Sequence, residues 1–124
     1  MNNKLTIKAL NHVALQISDI EVSRLFYSQI LNLQEIRTPD FDYPVIWFDL
    51  GEGKELHLIA RKPEKEFTPI RSNHFAMAVS DIKFVERYLI QKGIKYLPIK
   101  SRPDGVLQLF LNDPDGNFIE LCQF

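Results

Sequence analysis

Cysteine is almost missing from this 124-residue chain, with Cys122 standing alone. One thiol excludes an intrachain disulfide framework and any multi-cysteine zinc site. Long apolar runs are missing too, and nothing approaches the ~18 residues needed to span a bilayer. Met1–Leu10 is polar and short, without the apolar stretch and small-residue cleavage site of a secretion signal. A cytoplasmic protein is the expectation. There is no excess of charge of either sign: 15 Lys and Arg face 16 Asp and Glu, for a formal charge of −1. Neither a nucleic acid nor a membrane surface is therefore expected as a partner. What the chain does contain is 45% hydrophobic and 11% aromatic residues, enough to exclude global disorder. Its length suits one domain with its own core.

The chain repeats itself, and a repeat governs the reading of a fold. Residues 12–20 read His-Val-Ala-Leu-Gln-Ile-Ser-Asp-Ile and residues 74–82 read His-Phe-Ala-Met-Ala-Val-Ser-Asp-Ile. Five of nine positions are identical at an offset of 62. Both segments lead into helical patterns, over 20–31 and 82–92. Val22, Leu25, Phe26 and Ile30 fall on one face of the first, and Phe84/Tyr88 and Val85/Leu89 form i, i+4 pairs in the second. Asp19 and Asp81 occupy N-cap positions, and Asn32 and Gly93 suit the C-terminal stops. Strand-like runs follow at 33–38, 44–50 and 54–60 in the first half, and at 94–100, 105–111 and 117–123 in the second. Asp113-Pro114-Asp115-Gly116 is a β-turn signal, matched by Gly51-Glu52-Gly53. The expected fold is α+β, with two tandem βαβββ modules at about 7–60 and 73–124 joined by a linker at about 61–72, all within one domain.

The three histidines fall at related places. His12 and His74 open the first strand of each half. His57 and Glu120 are mates in the last strands, 45 residues after His12 and 46 after His74. Side chains alternate along a strand, so His12, Ala14 and Gln16 share a face, as do His74, Ala76 and Ala78. Glu55, His57 and Ile59 share another, as do Phe118, Glu120 and Cys122. The intervening Val13, Leu15 and Ile17 suit packing against a helix, which leaves His and Glu on the opposite face. If the two sheets face each other, four ligand-type groups converge, with small alanines leaving room for a small molecule. Three imidazoles and a carboxylate suit Zn²⁺, Ni²⁺, Co²⁺, Mn²⁺ or Fe²⁺. Trp47, Phe48 and Phe110 are candidates to line the cup or to pack the core. Asp113 and Asp115 read as turn formers.

Leu10-Asn11-His12-Val13-Ala14-Leu15, Leu56-His57-Leu58, Asn73-His74-Phe75-Ala76 and Asp113–Leu121 together resemble the vicinal oxygen chelate superfamily, which includes glyoxalase I, fosfomycin thiol transferases, extradiol dioxygenases and bleomycin-resistance proteins. The resemblance spans essentially the whole chain. It implies a cupped mixed sheet around a metal, and a homodimer in which one half from each subunit completes a site. Carried over residue by residue, it implies His12, His57, His74 and Glu120 as metal ligands and Glu120 as the proton-transfer base. The implied activity is a glyoxalase-like lyase or isomerase whose metal stabilises an enediolate-type intermediate. A small-molecule substrate is implied, and a thiol cosubstrate is compatible with it.

The departures matter. His57 stands where bacterial glyoxalase I typically has Glu, which leaves Glu120 as the sole carboxylate. Gln16 stands where an Arg would hold glutathione, so Arg61 and Arg102 remain as candidate anion contacts or as solvated surface charge. A thiol transferase shares His12, His74 and Glu120 but typically has Thr where this chain has Ala14. An extradiol dioxygenase would be crowded by a fourth ligand at His57. Drug-sequestering binders usually replace the metal positions with non-ligands, whereas all four are filled here.

Overall fold

The computed structural model describes residues 3–61 and 68–124. About half of the expected linker thus lies outside the described residues. The first module runs β1 (His12–Gln16), α1 (Ile20–Leu25), a π-helical segment (Phe26–Ile30), β2 (Glu35–Ile36), β3 (Val45–Gly51) and β4 (Lys54–Ile59). The second runs β5 (His74–Ala78), α2 (Ile82–Lys92), β6 (Tyr96–Ser101), β7 (Leu107–Asn112) and β8 (Phe118–Gln123). Each module builds one four-stranded mixed sheet, ordered β1-β4-β3-β2 and β5-β8-β7-β6. The fold is α+β with two tandem modules, as the repeat implied.

Register makes the repeat concrete. Ala14 and Trp47 flank His57 in the first sheet, and Ala76 and Phe110 flank Glu120 in the second. His57 and Glu120 are therefore structural mates, as are Trp47 and Phe110. The opposite faces carry the core: Ile46, Phe48, Leu56 and Leu58 in one module, Leu109, Leu111, Ile119 and Leu121 in the other. Phe48 therefore packs inside, while Trp47 and Phe110 lie on the histidine faces.

The first helix departs from its expected form. Six α-helical residues give way to a π turn closed by the Leu31 N–H donating to the Phe26 carbonyl at 3.1 Å. Val22 and Leu25 are 49% and 62% exposed, and the buried face is instead Ser23, Phe26 and Tyr27. Ser23, Phe26 and Tyr27 are spaced i, i+3 and i+4, so the buried face keeps helical spacing but is rotated away from Val22 and Leu25. In α2, Ile82 and Leu89 are buried but Phe84 is exposed. The caps follow expectation. Asp19 accepts from the Glu21 and Val22 amides and Asp81 from the Phe84 amide, and Gly93 closes α2 at φ 71°.

The modules are tied together by a buried carboxylate. Asp113 Oδ2 accepts from the Tyr27 hydroxyl at 2.7 Å and from Asn117 Nδ2 at 2.9 Å. Its Oδ1 accepts from the Asp115 and Asn117 amides at 2.9 and 2.8 Å. Asn117 Nδ2 also donates to the Gln16 carbonyl at 2.9 Å, and Asp115 accepts from the Ser18 amide at 3.0 Å. The Asp-Pro-Asp-Gly turn thus docks the second module onto β1 and the π turn of the first. A second tie joins the helices, where the Tyr88 hydroxyl donates to the Ile30 carbonyl at 2.7 Å.

Candidate metal centre

Glu120 lies on β8, an interior strand of its sheet, and its side chain is only 8% exposed. Its Oε1 lies 2.9 Å from His74 Nε2. His74 Nδ1 lies 2.6 Å from the Arg71 carbonyl oxygen. A carbonyl only accepts, so Nδ1 carries the proton and Nε2 is the nitrogen left for Glu120. A bare Nε2 lone pair beside a buried carboxylate is repulsive. The pair requires one shared cation, either a proton or a metal ion. Phe110 stands edge-on to His74 with ring centroids 4.9 Å apart and helps shield the carboxylate.

The first sheet holds the related pair in a different state. His12 Nδ1 donates to Asn11 Oδ1 at 2.8 Å, which again leaves Nε2 available. His57 is sandwiched: its ring stacks on Trp47 at 3.9 Å with 5° between planes, and on His12 at 4.1 Å with 19°. Its Nε2 lies 3.0 Å from Glu55 Oε1, on the same strand face. Imidazole lone pairs lie in the ring plane, so two nearly parallel stacked rings cannot aim at one ion. His57 must turn out of the stack before it can share an ion with His12.

The four expected ligands therefore come as two pairs, one per sheet: His12 with His57, and His74 with Glu120. Among the described residues no group of three or more His, Cys, Asp or Glu side chains is placed to hold one ion. The donor chemistry nevertheless fits a divalent ion. Two histidines are held at Nδ1 with Nε2 left over, and one of these adjoins a buried carboxylate in need of a cation.

The family profile of the Glyoxalase/Bleomycin resistance protein/Dioxygenase superfamily matches residues 9–121. The chain belongs to that superfamily. Glyoxylase I 4 of Arabidopsis thaliana is 34% identical, over 97% of this chain and 73% of that protein. Metallothiol transferase FosB of Bacillus licheniformis is 29% identical, over 97% of this chain and 77% of that one. Among solved structures, a glyoxalase family protein from Bacillus anthracis superposes with a TM-score of 0.82 at 29% identity, over 97% of this chain and 98% of the other.

The two candidate anion contacts are engaged by neighbours of their own. The Arg61 guanidinium sits over the Tyr43 ring at 5.2 Å, and Arg102 is held by Asp104. Cys122 is buried on the Glu120 face, its Sγ 3.7 Å from the Met77 carbonyl, and burial raises its thiol pKa. Asp113 forms its turn as expected but also binds Tyr27, a contact across 86 residues that no local motif announces. Arg71, which sets the His74 tautomer, sits in the stretch read only as linker.

Proposed function

We propose that the chain is a divalent-metal-dependent lyase or isomerase of the glyoxalase type, acting as a homodimer. Each site would join His12 and His57 of one subunit to His74 and Glu120 of the other. The observation that carries this reading is the buried Glu120–His74 pair, whose tautomer leaves room for one shared cation. The open edges of the sheets support the dimer. β1 and β5 each end a sheet with one unpaired side. Exposed Leu5 and Ile7 alternate with polar Thr6 and Lys8 in the arm that precedes β1, a pattern suited to a partner's surface. No helix among the described residues is long and apolar enough to cross a membrane, and a cytoplasmic location belongs to this reading.

Bound there, a divalent ion would supply Lewis-acid stabilisation of negative charge developing on a substrate oxygen. The protein's own groups do the rest. The Arg71 carbonyl fixes His74 by accepting from Nδ1, which turns Nε2 toward Glu120 Oε1 and the cation the two would share. The second oxygen, Oε2, is left to take a proton from substrate carbon, and burial beneath Phe110 keeps water from competing. His12 is held by Asn11 in the same tautomer as His74. His57 joins the ligand set once its ring leaves Trp47 and Glu55. The similarity to a metallothiol transferase supports a second reading, thiol addition to an electrophile at the same four residues.

Turnover of methylglyoxal with glutathione or with bacillithiol tests the first reading, and thiol addition to fosfomycin tests the second. Glu120→Gln should cut turnover by about 10²-fold or more, the usual worth of a positioned base, while lowering metal content less. Full turnover in that variant would remove Glu120 from the mechanism.

A further inference from the structure

Beside His74 the second sheet opens into a cavity of about 570 Å³, walled by Arg71, Ser72, Leu97, Lys100, Gln108 and Phe110. That is small-molecule size. Two of its walls are cationic, and neither Arg71 nor Lys100 has a carboxylate partner among the described residues. Arg102, just past the end of β6, is already satisfied by Asp104. The Arg71 guanidinium lies 5.7 Å from the Phe110 ring centroid, against the same ring that shields Glu120. That contact restrains a long side chain at the cavity wall and lowers the entropy cost of using it. Lys100 pairs in register with Gln108 on β7, one row along the face from the Phe110–Glu120 row.

We propose that this cavity is an oxyanion subsite, in which Arg71 and Lys100 hold a carboxylate or phospho group of the substrate next to the reacting atoms. The proposal rests on the reading of His74 and Glu120 as the reaction centre and adds the substrate class. Two cations without a carboxylate partner among the described residues line one small cavity, and an anion between them offsets their mutual repulsion. Leu97, Pro98 and Phe110 make the walls partly apolar, so each charged hydrogen bond there is stronger than on an open surface. The cations also offset the repulsion a negative substrate would meet from Glu120. Ser72 and Gln108 add neutral hydrogen-bonding side chains to the walls.

The test titrates the full-length protein, as purified and again after dialysis against EDTA, with inorganic phosphate and with acetate while amide resonances are followed by NMR. Saturable shifts at Ser72, Lys100 and Gln108 are expected. Arg71→Gln and Lys100→Gln should each weaken the fitted affinity about tenfold. Arg71→Lys should recover part of the loss, and Lys83→Gln on α2 should change nothing. A response to phosphate alone supports a phospho substrate, and a response to acetate supports a carboxylate. The proposal is overturned if neither anion gives saturable shifts. It is equally overturned if the response vanishes with EDTA and is indifferent to Lys100→Gln, because the anion would then be bound by metal. Metal content of the same samples is read separately, so loss of this subsite and loss of the metal site are distinguishable.

Discussion

Tyr27→Phe removes one oxygen from the tie between modules and nothing else. The hydroxyl is fully buried and donates to Asp113 Oδ2 at 2.7 Å. A hydrogen bond to a charged acceptor contributes ~1.5–3 kcal/mol. Asp113 keeps three other contacts from Asn117 and Asp115, so the carboxylate is not orphaned and the loss should be about 2 kcal/mol. For a domain of this length that lowers Tm by about 8 °C. The effect carries a pH signature. Burial, with Asp113 beside it, raises the Tyr27 pKa well above its ordinary 10.0. A group with a raised folded-state pKa contributes stability that is fully present below the unfolded value and is lost as pH rises beyond it. The gap between wild type and Tyr27→Phe should therefore narrow above pH 10.0. Denaturant unfolding followed by far-UV circular dichroism, at neutral pH and at an alkaline pH where the fold survives, measures both. A variant as stable as wild type at neutral pH would refute the view that this bond holds the modules together.

Two further substitutions probe the helices. Ser23 is fully buried and its Oγ has no hydrogen-bond partner among the described residues, so Ser23→Ala should raise stability by about 1 kcal/mol; a fall of that size in the denaturant unfolding free energy would mean the hydroxyl is bonded. Gly93 sits at φ 71° with open space where a methyl group would project, so Gly93→Ala should cost about 1 kcal/mol from backbone strain alone, read from thermal unfolding.

The repeat was legible because strand alternation and two matched Ser-Asp-Ile segments survive in the residues themselves. His12 with His74, and His57 with Glu120, take equivalent register positions because a period of two fixes faces once the strands are placed. The faces of the helices were harder to read. Val22 and Leu25 look like core, yet Ser23 is buried instead, because docking of Tyr27 onto Asp113 decides which side faces inward and Ser23 lies one turn before Tyr27. Long-range pairs leave no local mark: Tyr27 with Asp113, and Asn117 with the Gln16 carbonyl. Arg71 was hidden for another reason. Its carbonyl, not its side chain, sets the His74 tautomer, and a backbone atom has no signature in composition. The His57 stack with Trp47 depends on ring orientation, which spacing alone cannot supply.

The central claim is that the Glu120–His74 pair holds a divalent cation. The most direct test is elemental analysis by mass spectrometry of protein purified without a chelating tag, for wild type, His74→Ala and Glu120→Ala. The account predicts close to one first-row divalent ion per site in wild type and its loss from both variants, with folding preserved by circular dichroism. Wild-type protein that takes up no such ion even when supplied with it, or variants that retain it in full, would contradict the account.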